Sequence, residues 1–214
     1  MILPEDVIPS VTVVCNNNGP RWDDVVATAT EIVLFGSRAV GWATEQSDWD
    51  LLCVGEGQRI YTKQLDLIWI SDAQVKSLPW LGSELAGHIA AFGVWLAGTD
   101  SWSHLVAVSD AAIRRKRTDI ERRLSSLSAV WHGFGHAYRE RHLGLIRRQV
   151  QRLEALTIGV AIPPNPMLDE SWLESNRGRE GYRLMSMAAN LGVTHPVLAS
   201  LQEFGNLMTH ARQT

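Results

Sequence analysis

Short apolar runs separated by glycine and polar residues fill the first hundred residues of the chain. Runs of about four to eight apolar residues bounded by turn residues are typical of strands buried in a sheet. They predict strands at 31–36, 48–55 and 58–71. The β-branched run at 11–15 predicts a further strand or extended arm. It would be short, because the turn residues "NNNGP" follow it directly.

Helical spacing of the apolar positions marks other segments. Residues 21–30 and 37–44 predict short helices between the strands, and Leu85, Ile89, Phe92 and Leu96 fall on one face of a later helix. Beyond residue 110 the period predicts helices at 110–126, 128–154, 180–190 and 196–210. The prolines at 163, 164 and 166 predict a broken loop over 159–172.

The change of pattern near residue 108 predicts two domains. Residues 1–108 read as an α/β (α+β) domain with a small mixed sheet, and residues 109–214 as an α-helical domain. A chain of 214 residues that is 45% hydrophobic can bury a core in each domain. No apolar run is long enough for a membrane span and no secretory signal opens the chain, which predicts a cytoplasmic protein without membrane contact.

Charge is distributed unevenly. Residues 1–100 contain 13 acids and 5 bases, whereas residues 101–160 contain 5 acids and 11 bases. The basic runs 113–123 and 139–149 are read first as solvated helix faces, with acid–base pairs such as Asp119 and Arg123. The alternative is a surface for RNA or another polyanion, for which Trp131 and Tyr138 are the candidate stacking residues.

Candidate chemistry is concentrated in "FGSRAVGWATEQSDWD", residues 35–50. Side chains alternate along a strand, so Asp48 and Asp50 project from the same side. Two like charges so close together repel each other unless a cation lies between them, which favours a magnesium site. Gly36 and Ser37 end a strand and open a short helix, an arrangement that suits a phosphate group.

A third carboxylate, Asp66, lies in the apolar segment "QLDLIWI". An aspartate there is unfavourable unless it faces a polar site, and pairing of the two strands would bring it to Asp48 and Asp50. Arg38 could contact phosphate or be an exposed helix arginine. In the alternative without chemistry, Asp48 caps a turn, Asp50 pairs with an arginine and Asp66 is a satisfied buried acid.

Gly36-Ser37, ten further residues, Asp48-Trp49-Asp50 and then Asp66 together resemble the signature of the DNA polymerase beta-like nucleotidyltransferase superfamily. The detail "GSRAxGxAxxxSDxD" is similar to its small bacterial members, the minimal nucleotidyltransferases and the antibiotic nucleotidyltransferases. The resemblance covers roughly residues 31–70. Its fixed spacing, flanked by apolar strands, is far more specific than either short motif alone.

The resemblance implies a role for each matching position. Gly36 and Ser37, with Arg38 beside them, would bind the triphosphate of ATP or another nucleoside triphosphate. Asp48 and Asp50 would ligate two Mg²⁺ ions, with Asp66 as third ligand and general base.

The implied reaction moves a nucleoside monophosphate, AMP in the first instance, to a hydroxyl acceptor held by the helical domain. A small molecule such as an antibiotic is the first choice of acceptor, and the acidic stretch 167–175 is either a site for a cationic acceptor or an exposed loop. Two alternatives stay open. One is a minimal-nucleotidyltransferase antitoxin that modifies a partner toxin protein, and the other is a non-catalytic protein that binds nucleotide or RNA.

Overall fold

The computed structural model describes residues 3–175 and 184–211, with the side chains of 174, 175 and 208–211 outside the description. The chain divides into two compact units, Met1–Val108 and Ser109–Thr214. In the described ranges, no helix combines the length and apolar character needed to cross a bilayer.

The first unit alternates helices with strands. Its elements are α1 (Pro4–Asn18), α2 (Trp22–Thr28), β1 (Ala29–Phe35), α3 (Gly36–Ala39), β2 (Trp49–Gly55), β3 (Ile60–Tyr61), β4 (Leu65–Ile70), α4 (Asp72–Val75), α5 (Leu78–Leu81), α6 (Glu84–Phe92) and β5 (Val94–Ala97). A 3-10 turn at Ser103–Leu105 follows β5.

The five strands form one sheet in the order β3-β4-β2-β1-β5. Only the β2–β4 pair is parallel, and the other three pairs are antiparallel. This mixed sheet, followed by a helical second unit, confirms the predicted fold class.

Helices cover both faces of the sheet, because β1 and β2 are apolar on both sides. Ile32 and Leu34 pack with α1 and α2 on one face. Val33 and Phe35 pack with α5 and α6 on the other. Successive residues of a strand point to opposite faces, so a continuous apolar run is what such a central strand requires.

The prediction of a strand at 11–15 is wrong, because these residues lie inside α1. Val7, Val11 and Val14 are buried on one face of that helix, a spacing of four and then three residues that matches the helical period. Both cysteines, Cys15 and Cys53, are buried free thiols.

Three further boundaries differ from the prediction. The helix expected over 37–44 is the single turn α3, and Leu96 belongs to β5 rather than to α6. The segment 58–71 is not one strand but the hairpin of β3 and β4, in which Tyr61 pairs with Asp66. Thr62, whose hydroxyl accepts from the backbone N–H groups of Gln64 and Leu65, closes the turn between the two strands.

The second unit is helical. Its described helices are α7 (Asp110–Ser128), α8 (His136–Ile158), α9 (Asn165–Ser175), α10 (Leu184–Asn190) and α11 (Val197–Ala211), with a 3-10 turn at Trp131–Gly133. Helix α9 begins inside the segment predicted as a loop, and residues 180–183 of the helix predicted at 180–190 lie outside the described residues. The core of the unit includes Ile120, Leu124, Val150 and Leu201, all fully buried.

Candidate functional site

The candidate site begins where β1 ends. Phe35 is the last residue of β1, and Gly36 follows it with φ of 74°, a conformation that residues with a Cβ rarely adopt. This turn starts the single helical turn α3, which also contains Ser37 and Arg38. The first N–H groups of a helix have no acceptor within it, so the chain offers donors here.

Sheet pairing brings Asp50 to the same place. Asp50 lies opposite Phe35 in the antiparallel β1–β2 pair. A Cβ atom placed on Gly36 would collide with the Asp50 carboxylate. Glycine is therefore required at position 36 for two reasons, its backbone conformation and the close approach of this carboxylate.

The parallel β2–β4 pair adds the third carboxylate. Asp50 and Asp66 are direct partners in its register, so they occupy neighbouring positions at one end of the sheet. Asp48 lies just before β2, which starts at Trp49. The structure thus brings together the three aspartates that the sequence singled out.

The electrostatics of Asp50 reflect this crowding. Burial, followed by the negative charges of Asp48 and Asp66, raises the pKa of Asp50 to about 7, and the positive charge of Arg38 opposes the rise. A carboxyl group with this pKa is only partly ionised at neutral pH. Any cation that neutralised Asp48 and Asp66 would also favour ionisation of Asp50.

Arg38 contacts the segment of chain that leads into β2. Its guanidinium donates to the backbone carbonyl oxygens of Ser47 at 2.6 Å and Asp48 at 3.0 Å. It also lies over the ring of Trp49, 4.3 Å from the ring centroid. Through these contacts Arg38 links helix α3 to the segment that contains Asp48.

A second arginine, Arg59, was not anticipated from the sequence. It forms a two-pronged ion pair with Asp66, with Nε 3.1 Å from Oδ1 and Nη2 2.8 Å from Oδ2. The side chain of Asp66 is only 15% exposed, whereas that of Arg59 is 59% exposed. The hairpin of β3 and β4 brings Arg59 next to Asp66. The sequence pattern predicts a single strand over 58–71, in which these two residues would lie far apart.

No group of three or more His, Cys, Asp or Glu side chains is arranged to hold a metal ion in the part of the chain that the structure describes. Both oxygens of Asp66 are bound by Arg59. The donor chemistry still suits Mg²⁺, which prefers carboxylate oxygens. Asp48, Asp50 and Asp66 are the carboxylates that would have to hold such an ion, and Arg59 occupies both oxygens of Asp66.

Comparison with known proteins gives one family match. Residues 22–81 match the family model described as a nucleotidyltransferase domain, from the first residue of α2 to the last residue of α5. The matched range includes all six candidate residues, and the match confirms the family resemblance seen in the sequence. No significant match to a curated protein was found.

Among solved structures, the chain is similar to one from "Crystal structure of the toxin-antitoxin with AMP-PNP". The sequences are 17% identical, and the alignment covers 61% of this chain and 99% of that one, with a TM-score of 0.27. At this TM-score the two chains superpose too poorly to support an inference about fold or ligand.

Proposed function

We propose that this chain, which matches the model of a nucleotidyltransferase domain over residues 22–81, transfers a nucleoside monophosphate from a nucleoside triphosphate to a hydroxyl group of an acceptor. ATP is the proposed donor and Mg²⁺ the proposed cofactor.

One relationship carries the proposal. Asp50 is next to Asp66 across the parallel strands and touches the position of Gly36. The turn to which we assign phosphate binding and the carboxylates of Asp50 and Asp66 therefore share one end of the sheet. This juxtaposition is what transfer of a phosphoryl-type group needs, because the negatively charged nucleotide must be held beside the groups that activate its acceptor.

The roles of the residues follow from their chemistry. Gly36, with φ of 74°, forms the turn whose backbone N–H groups would bind a phosphate, and the Ser37 hydroxyl can donate to it. Asp48 and Asp50 would hold Mg²⁺, with Asp66 as a further ligand. When bound, the ion neutralises the charge that develops on the phosphoryl oxygens.

In the proposed reaction, the acceptor oxygen forms a new bond to the α-phosphorus while the bond from that phosphorus to the bridging oxygen breaks. Pyrophosphate leaves with the electron pair of the broken bond. The Asp66 carboxylate takes the proton of the acceptor hydroxyl as general base. Arg59 must first leave Asp66, because a carboxylate bound at both oxygens is a poor proton acceptor.

We infer that residues 109–214 hold the acceptor, and we place a hydroxylated small molecule first. A cationic acceptor at the acidic stretch 167–175 is not favoured. Arg147 and Arg148 both donate to Oδ1 of Asp169, the first acidic residue of that stretch. The charge of Asp169 is therefore already neutralised within the protein.

The direct test is transfer of label from nucleoside triphosphates labelled at the α-phosphate. Each of the four ribonucleotides is incubated with Mg²⁺, the full-length protein and a panel of aminoglycoside antibiotics and other polyhydroxylated small molecules. We expect label to reach one class of acceptor, with ATP as the best donor, and pyrophosphate to be released in equal amount.

Asp50→Asn is the matched inactive variant, since it keeps the shape of the side chain and removes its charge. Exposed Asp23→Asn, in the same unit, is the control and should retain transfer. Label found on a polypeptide added from a cell extract would identify a partner protein as the acceptor instead. Absence of transfer to every small molecule and polypeptide, in the wild type as in Asp50→Asn, would overturn the proposal.

A further inference from the structure

A cavity of about 550 Å³ lies within the helical unit, between α7 and α8. Its lining includes Arg122 and Arg123 from the basic run of α7 and Tyr138 and His142 from α8. Cavities of this size commonly hold small organic ligands. None of the groups in the candidate site of the first unit lines it.

One wall of the cavity is aromatic. The ring centroids of Phe134 and Tyr138 are 3.8 Å apart, and those of Tyr138 and His142 are 4.1 Å apart. Burial, then the charge of Arg141, lowers the pKa of His142, so its ring is neutral at pH 7 and can both donate and accept a hydrogen bond.

The exposure of this wall distinguishes it from core packing. Tyr138 is 43% exposed, whereas Trp131, the other stacking residue considered from the sequence, is 3% exposed and packs against Phe204. Leu127 and Ile146, both buried, form the apolar floor. Tyr138 is thus the ring of this wall that is most open to solvent.

The opposite wall is cationic. Asp119 forms its ion pair with Arg122, at 3.1 Å, rather than with Arg123 as the sequence suggested. Arg123 is exposed and has no acidic partner among the described residues. Its guanidinium lies free to bind an anion, and such groups form paired hydrogen bonds with phosphate.

We propose that this cavity binds a nucleobase that carries a phosphate group, with the base stacked on Tyr138 and the phosphate bound by Arg123. The ligand is either an unpaired nucleotide of single-stranded RNA or a free mononucleotide, which share this chemistry. Stacking on an exposed aromatic ring next to basic side chains is how single strands are bound without sequence readout. The proposal does not rest on the transferase activity proposed above.

The test uses the full-length protein in EDTA, so that no metal-dependent nucleotide binding by the first unit contributes. Anisotropy of a fluorescein-labelled oligouridylate is measured with the wild type and with Tyr138→Ala, Tyr138→Phe and Arg123→Ala. Arg115→Ala is the matched control, because Arg115 is an exposed arginine of α7 outside the cavity.

We expect Tyr138→Ala to weaken binding by about ten-fold and Tyr138→Phe to leave it nearly unchanged, because stacking needs the ring and not the hydroxyl. Arg123→Ala should reduce the dependence of log Kd on log salt concentration by about 0.7, the loss of one phosphate contact. Arg115→Ala should change neither quantity.

Competition identifies the source of the ligand. If AMP displaces the oligonucleotide at a similar concentration, the cavity binds a mononucleotide, and if only longer strands compete, it binds RNA. Wild-type affinity in Tyr138→Ala would overturn the proposal. So would equal effects of Arg115→Ala and Arg123→Ala, because binding would then follow the overall charge of α7. Circular dichroism of each variant verifies that it is folded.

Discussion

The carboxylate of Asp50 lies so close to Gly36 that no side chain fits at position 36. The contact joins the end of β1 to the start of β2, which are antiparallel neighbours. It also places the turn proposed to bind phosphate directly against a carboxylate proposed to bind metal. The two halves of the proposed site therefore cannot be moved independently.

Gly36→Ala should abolish nucleotide transfer. Alanine in the left-handed conformation is unfavourable by about 1–3 kcal/mol, and its Cβ would in addition displace Asp50. The matched control is Gly159→Ala, because Gly159 has φ of 73° at the end of α8 but open space around the missing Cβ. Thermal unfolding and transfer are measured for both variants. Transfer by Gly36→Ala at the wild-type rate would show that Asp50 can move without consequence.

Arg38 is expected to act through the position of Asp48 rather than on the nucleotide. Arg38→Ala removes two hydrogen bonds from a charged donor, each worth about 1.5–3 kcal/mol, and frees the segment before β2. We expect weaker Mg²⁺ dependence of activity with a small change in KM for the nucleotide. Arg38→Lys should fail to restore the Mg²⁺ dependence, because an ammonium group cannot donate to both carbonyl oxygens in the geometry of the guanidinium.

Exposed Arg21, in the same unit, provides the control variant Arg21→Ala. If Arg38 binds phosphate instead, KM for the nucleotide will rise, the Mg²⁺ dependence will stay the same, and Arg38→Lys will recover most of the activity. Steady-state kinetics at several Mg²⁺ concentrations separate the two outcomes.

Removal of the Asp50 charge should stabilise the metal-free protein at alkaline pH. The folded protein holds the pKa of Asp50 at about 7, above its ordinary value of 3.8, so the folded state binds more protons than the unfolded state between these values. Stability therefore falls as pH rises through this window, by at most about 4 kcal/mol.

In EDTA, Asp50→Asn should unfold at a higher temperature than the wild type at about pH 8 and at nearly the same temperature at about pH 3, below the window in which the two states differ in bound protons. Asp23→Asn, which changes an exposed carboxylate, should differ from the wild type at neither pH. Equal stabilisation by Asp50→Asn at both values would contradict the raised pKa.

Arg59 should compete with metal for Asp66. Arg59→Gln removes the ion pair and leaves Asp66 free, so we expect Mn²⁺, followed by electron paramagnetic resonance as a substitute for Mg²⁺, to bind about two- to ten-fold more tightly. The control Lys63→Gln removes an exposed positive charge from the same hairpin without touching Asp66. Unchanged or weaker Mn²⁺ binding in Arg59→Gln would rule out the competition.

Much of the site could be predicted because short-range rules determine it. Asp50 and Asp66 each lie in an apolar strand, where an aspartate has few acceptable locations, and the pairing of β2 with β4 makes them neighbours. Long side chains follow no such rule. The Arg38 side chain, for example, is oriented by the carbonyl groups of Ser47 and Asp48, which lie nine and ten residues further along the chain.

The errors in the fold have a similar origin. Residues 11–15 are rich in β-branched valine, which favours strands locally, but the apolar face that α1 packs against the sheet decides the outcome. Arg59 was missed because β3 has only two residues, too few to show alternation. Tertiary packing therefore overrides the local preference at residues 11–15, and the pattern around Arg59 is too short to predict a separate strand.

Calorimetric titration of ATP into the protein, with and without Mg²⁺, tests the central claim most directly. The wild type should bind ATP in a Mg²⁺-dependent manner. Asp48→Asn and Asp50→Asn should each lose that dependence, because each removes a charged ligand from the proposed metal site. Mg²⁺-dependent binding that is the same in both variants as in the wild type would contradict the assignment of the site.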